Sequence, residues 1–150
     1  MILDAILAYL HFISIFALFG FLTAEAILIR RALDAGTIRL LGRVDIIYFL
    51  AAIAVLVTGF LRLVLGAKGA DFYLESWPIY AKIGLFVVVA VISVAPTLMF
   101  IRWRRFLDHD AAWQPPAGEV AKARRLVMVE VHLAALIPIF AVIMSRGLGR

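Results

Sequence analysis

No cysteine occurs in the 150 residues of this chain. That excludes disulfides, thiolate metal sites, cysteine-ligated iron–sulfur clusters and thioether-linked haem. It says nothing about the redox compartment. The sequence also has no phosphate-cradling glycine loop, no nucleophile elbow and no zinc-protease pattern. Charge is sparse, at 17% of residues, and acids are outnumbered ten to fifteen by lysine and arginine. The net charge of +5 raises the question of nucleic acid, but the placement of the bases answers against it. Arg30, Arg31, Arg39 and Arg43 sit in one connection, and Arg102, Arg104, Arg105, Lys122, Arg124 and Arg125 in another. Such clusters beside apolar runs read as topology signals and contacts to anionic membrane lipid.

What the chain has in quantity is hydrophobicity: 65% of residues are apolar, where soluble domains are closer to about half. A spanning helix needs about 20 mostly apolar residues. Four stretches qualify, at residues 5–29, 46–66, 78–101 and 126–145. Little remains for a soluble domain. The expectation is one all-α integral membrane domain over residues 1–150, a four-helix up-down transmembrane bundle, since short connections make successive spans antiparallel neighbours. Gly20, Ala24, Ala51, Ala54, Gly59, Gly84 and Ala90 permit close packing. The first run lacks a basic n-region and is long, so it is expected to stay as a span rather than be cleaved. No repeat of the transporter kind is visible.

Loop composition sets the expected orientation. The first and third connections are basic, while the second sets Lys68 against Asp71 and Glu75, and the start has only Asp4. Basic loops stay cytoplasmic. The chain is therefore expected to be multi-pass, with both termini outside and the first and third connections cytoplasmic; Arg146 and Arg150 oppose this weakly. Residues 39–43 are expected to continue the second helix towards the headgroups. Residues 118–125 form a basic amphipathic lead-in to the fourth, after a break at Trp113, Gln114, Pro115 and Pro116. Tyr73, Trp77 and Tyr80 fit an interfacial belt. Pro78 suits a first helical turn, and Pro96 and Pro138 are expected to kink their helices.

Ionisable groups inside hydrocarbon are costly unless paired or used. A rise of about 1.5 Å per residue sorts them by depth. His11, Arg62 and Lys82 fall towards the outer end, with Tyr80 and Trp77 nearby. Glu25, Asp45, Arg124, Arg125, Glu130 and His132 fall towards the inner end. His11, Ser14, Leu18, Phe21 or Leu22, and Glu25 share one helical face. So do Tyr48, Ala52, Val55, Gly59 and Arg62, and likewise Lys82, Phe86, Val89, Ser93 and Thr97. Three such stripes suggest a common outer cavity. Glu130 and His132 are about 200° apart and cannot face one point.

Each group has two readings. His11 is a haem or metal ligand or proton carrier, or else an interhelical hydrogen bond. Lys82 is a ligand, a propionate partner or a proton donor, or else it snorkels. Arg62 clamps a carboxylate, or else it too snorkels. The inner acids and arginines form a structural ion-pair network, or else a proton path or substrate carboxylate site. His132 is a supporting or subunit-contact group; pairing it with His11 on one haem is strained, since their depths differ by about 10 Å. His109, between Asp108 and Asp110, reads as a solvated loop.

The whole chain resembles a family of small bacterial membrane proteins whose name carries no activity, through LAYLHFISIFALFGFLTAE, GAKGADFY and VEVHLAALIPIF. It is also distantly similar to the HemJ family of protoporphyrinogen IX oxidases. The similarity lies in His11 within LAYLHFISIFAL, in Trp77 and Lys82 within WPIYAKIGL, and in Arg124, Glu130 and Pro138 of the last span at a different spacing. That family binds a b-type haem, and its histidine and lysine are thought essential. The resemblance implies an inner-membrane oxidoreductase acting on a porphyrinogen or passing electrons to quinone. His11 would then be the haem iron ligand, Lys82 a second ligand or base, Arg62 a propionate partner and Trp77 part of the cofactor site. A non-enzymatic scaffold or partner subunit, homo-oligomeric or not, and a small proton-coupled carrier are the competing expectations.

Overall fold

The computed structural model describes residues 2–66 and 74–148. Lys68, Gly69, Asp71, Tyr73, most of GAKGADFY and Arg150 lie outside the described residues. Four helices account for nearly all the rest: α1 (Ile2–Leu28), α2 (Ala35–Leu65), α3 (Trp77–His109) and α4 (Ala117–Ser145). All four are long and apolar enough to cross a membrane. Hydrocarbon supplies no partner for a free N–H or C=O, so each segment must satisfy its backbone internally, as a helix does.

The helices overrun the apolar stretches that announce them. α2 begins at Ala35 rather than 46, α3 runs to His109 rather than 101, and α4 starts at Ala117 rather than 126. Hydropathy sees the part that lies in hydrocarbon, about 30 Å thick. The 33 residues of α3 reach about 50 Å. The excess lies at the end that carries the arginines, called here the basic end. Local signals fix these boundaries. The Asp34 carboxylate accepts the Thr37 N–H at 2.7 Å and caps α2, and that bond holds its carboxyl below the usual carboxylate range. Pro78 sits in the first turn of α3 and Pro116 caps α4, where a missing N–H costs nothing. Pro96 and Pro138 lie inside α3 and α4, and both helices run on through them.

α1 packs chiefly on α2, and α3 on α4. The two hairpins meet through the thinner contacts α2–α3 and α1–α4, which closes an up-down ring. Two apolar layers fill it. Towards the basic end, Ile29, Ile38, Leu41, Phe100, Trp103, Leu107, Ala123 and Val127 form one cluster. Towards the other end, Leu18, Leu22, Tyr48, Ala51 and Ala134 form the second. The outer faces carry Phe16, Phe49, Phe60, Val91 and Val142, all exposed, as lipid-facing side chains should be.

The basic-end cluster extends the bundle past the hydrocarbon, so it holds together as a water-soluble core does. Trp103 is its centre: fully buried, tilted against Phe100 at 5.6 Å, its indole N–H donating to Glu119 at 2.8 Å. Glu119 also pairs with Arg102 at 2.7 Å. Trp103→Ala should therefore cost about 3–5 kcal/mol, seen as a lower thermal midpoint in detergent. Val91→Ala, on the lipid face, should move that midpoint little.

Candidate functional site

The predicted polar groups gather at two levels. Near the end away from the arginines, the His11 ring of α1 lies against α2. Its Nδ1 is 2.9 Å from the Thr58 hydroxyl. Thr58 donates its own proton to the Ala54 carbonyl at 2.6 Å, so its oxygen is left to accept. The ring nitrogen must be the donor, which assigns the Nδ1–H tautomer and leaves a lone pair on Nε2. Gly59 makes room for the ring, because a methyl there would come within 3.2 Å of His11 Cε1.

Arg62 is one turn further along α2 and stacks over Phe12, with Cζ 5.9 Å from the ring centroid. Its Nε is buried without a partner among the described residues. The charges of Arg62 and Lys82 both reach His11, and that of Arg62 reaches Lys82. His11, Arg62 and Lys82 thus form the outer cluster that the spacing implied. Trp77 does not touch these groups by any ring contact among the described residues. It is half exposed and packs edge-to-face on Phe140 at 6.0 Å. Tyr80 donates to the Leu74 carbonyl.

The donor set can be tested against a b-type haem. Such a group needs an axial nitrogen with a free lone pair and cations for its propionates. His11 offers the first through Nε2, oriented by a hydroxyl on the other ring nitrogen, as ligating histidines usually are. Arg62, with an unused N–H, and Lys82 offer the second. The residues fit the group. The partly open cavity between α2 and α3 is a different place. Its volume of about 200 Å³ is below the roughly 300–1,000 Å³ of ordinary ligand pockets, enough for one ring but not a tetrapyrrole. Its walls are apolar except for Tyr48, Ser93 and Thr97. No three histidine or acidic side chains among the described residues gather to hold a bare metal ion.

The second level lies between the two apolar layers. Glu25 of α1, Asp45 of α2 and Glu130 of α4 are buried to 1%, 3% and 0% exposure. Their charges act on one another. Thr97 of α3 donates to Asp45 at 2.8 Å, and Tyr48 makes a long contact of 3.4 Å to Glu130. The ion-pair network envisaged here does not form among the described residues. Among the described residues the ion pairs are Arg39–Asp108 and Arg102–Glu119. Arg124 is exposed and donates to the Ile29 carbonyl, and Arg125 is exposed. His132 is exposed too, bonding the Met128 carbonyl of its own helix, so it shares no site with His11. The helical phase explains this: the α4 face that buries Ala123, Val127, Glu130 and Ala134 carries Arg124, Arg125 and His132 to its flanks.

Thr58 was not foreseen. It lies four residues before Arg62, on the face that meets α1, and that spacing was the available signal. Tyr48 and Thr97 were on the right stripes, but their acid partners are set by which helices adjoin.

A family model described as "Predicted membrane protein (DUF2214)" matches residues 3–149. No curated protein matches the chain, and no solved structure does.

One consequence can be measured without knowing any ligand. Glu25 Oε2 and Glu130 Oε1 are buried without partners among the described residues, and an unsatisfied buried polar group costs about 1–3 kcal/mol. Glu25→Met should therefore raise the thermal midpoint in detergent. A fall would mean that the acids hold the bundle together.

Proposed function

This chain belongs to the predicted membrane protein family (DUF2214) that spans it, and we propose that it is a b-type haem protein of oxidoreductase type. The observation that carries the reading is the His11 tautomer. A bonded Nδ1–H and a free Nε2 lone pair, on a ring flanked by two cations, suit an axial ligand beside propionates. A bound haem would supply one-electron redox chemistry, at a potential tuned by ligand and burial. The chain would do the rest. His11 would offer Nε2 to the iron, Thr58 would fix the ring, and Arg62 and Lys82 would hold the propionates. Lys82 is the alternative second ligand or base.

The resemblance to HemJ proteins supports a porphyrinogen as electron donor. The small apolar cavity with three hydroxyl-bearing walls suits the ring of a quinone as acceptor, reached from the lipid. The basic loops favour a bacterial inner membrane with both termini periplasmic, and hence His11 near the periplasmic face.

The test is the visible spectrum of detergent-purified protein expressed with haem supplied, oxidised and then dithionite-reduced. A Soret band with sharp reduced α and β bands is expected. His11→Ala should remove it while helix content and yield stay unchanged. Thr58→Val should weaken haem retention about 10–100-fold, as loss of a ligand-orienting bond does. A featureless wild-type spectrum, or full occupancy in His11→Ala, would sink the assignment.

A further inference from the structure

The acid layer is built by all four helices at one level: Glu25, Asp45 with Tyr48, Thr97 and Glu130. One apolar layer closes it towards the basic end through Ile29, Leu41, Phe100 and Val127. The other closes it on the opposite side through Leu18, Leu22 and Ala134. The groups facing the layer can be named helix by helix. α1 brings Glu25, α2 brings Asp45 and Tyr48, α4 brings Glu130, and α3 brings only the hydroxyl of Thr97. Arg104 of α3 crosses Gly42, one turn nearer the basic end, but forms no ion pair among the described residues. Among the described residues, therefore, no cation neutralises the layer.

Three carboxylates in a medium of low dielectric cannot all stay ionised without a counter-charge. Two carboxyl oxygens, on residues at least 99% buried, face no partner among the described residues. A layer kept only for packing would be apolar, and one kept for an ion pair would contain a base. What satisfies buried carboxyls and needs no room is protons. Tyr48 and Thr97 belong both to this layer and to the wall of the cavity between α2 and α3, so the layer has a side facing a space that is not filled by protein.

We infer that Glu25, Asp45 and Glu130 form an intramembrane proton-exchange site, which holds protons between two apolar gates and trades them through the Tyr48 and Thr97 side of the cavity. The site is separate from His11 and needs no haem.

Infrared spectroscopy of the full chain in lipid tests it directly. At neutral pH the protein should show the carbonyl band of protonated carboxylic acid. The band should move when all glutamate is carbon-13 labelled, which requires no substitution. It should shift again on transfer to deuterium oxide within the time that exposed amides exchange. Glu25→Gln and Glu130→Gln should each diminish it. Absence of a glutamic acid band would overturn the proposal, because the layer would then be ionised. A band that stays unshifted long after exposed amides have exchanged would overturn it too, by marking static acids. Visible absorbance by haem has no bearing on either outcome, so this inference and the haem assignment fail separately.

Discussion

Hydrocarbon offers no hydrogen-bond partner, and the rest of this structure follows from that. The backbone answers it by coiling into four long helices. The small hydroxyls answer it in the same way, by bonding back to their own helix. Ser14 donates to Leu10, Thr23 to Phe19, Thr58 to Ala54 and Ser93 to Ala90. His132 does likewise, bonding the Met128 carbonyl of its own helix. The buried carboxyls cannot be absorbed so cheaply. They turn inward, and with the His11 group they collect at two levels, which is why a bundle with so apolar a surface has so polar an interior.

The two levels differ in kind. At His11 the polar groups are cationic or neutral, Arg62 Nε has no partner among the described residues, and the neighbouring glycine makes room for the ring. At Glu25 and Glu130 the groups are acids, enclosed above and below by packed side chains. Neither arrangement contributes evident stability, because a buried polar group with an unmet bond weighs against folding. Stability comes instead from the apolar layers, and most conspicuously from the Trp103 cluster, which lies towards the arginine-bearing ends of the helices. There water is near enough for the hydrophobic effect to operate, whereas between helices in lipid it contributes little.

Much of this was legible in the chain. Runs of apolar residues gave the number and order of the helices, because length and hydropathy are local properties. The stripes at steps of three and four placed His11, Glu25, Tyr48, Arg62, Lys82 and Thr97 on inward faces, and the structure keeps them half or fully buried. Helix ends were less legible. α2, α3 and α4 continue through basic, amphipathic segments whose burial depends on partners distant in sequence. The ion-pair expectation failed for a related reason. Arg124, Arg125 and Glu130 share a depth, but depth does not fix azimuth, and a charge two residues off the buried face belongs to the surface.

The sequence by itself determined a four-span membrane bundle, its antiparallel order, and the depth of each ionisable group, because these depend only on hydropathy, helical rise and connection length. Tertiary structure decided which groups meet. It set Thr58 beneath His11 and so chose the imidazole tautomer. It brought three acids together without a base among the described residues, and it left His132 and Arg125 outside. Those outcomes depend on the rotation of each helix about its axis. That rotation is set by packing between helices, which no single stretch of chain contains.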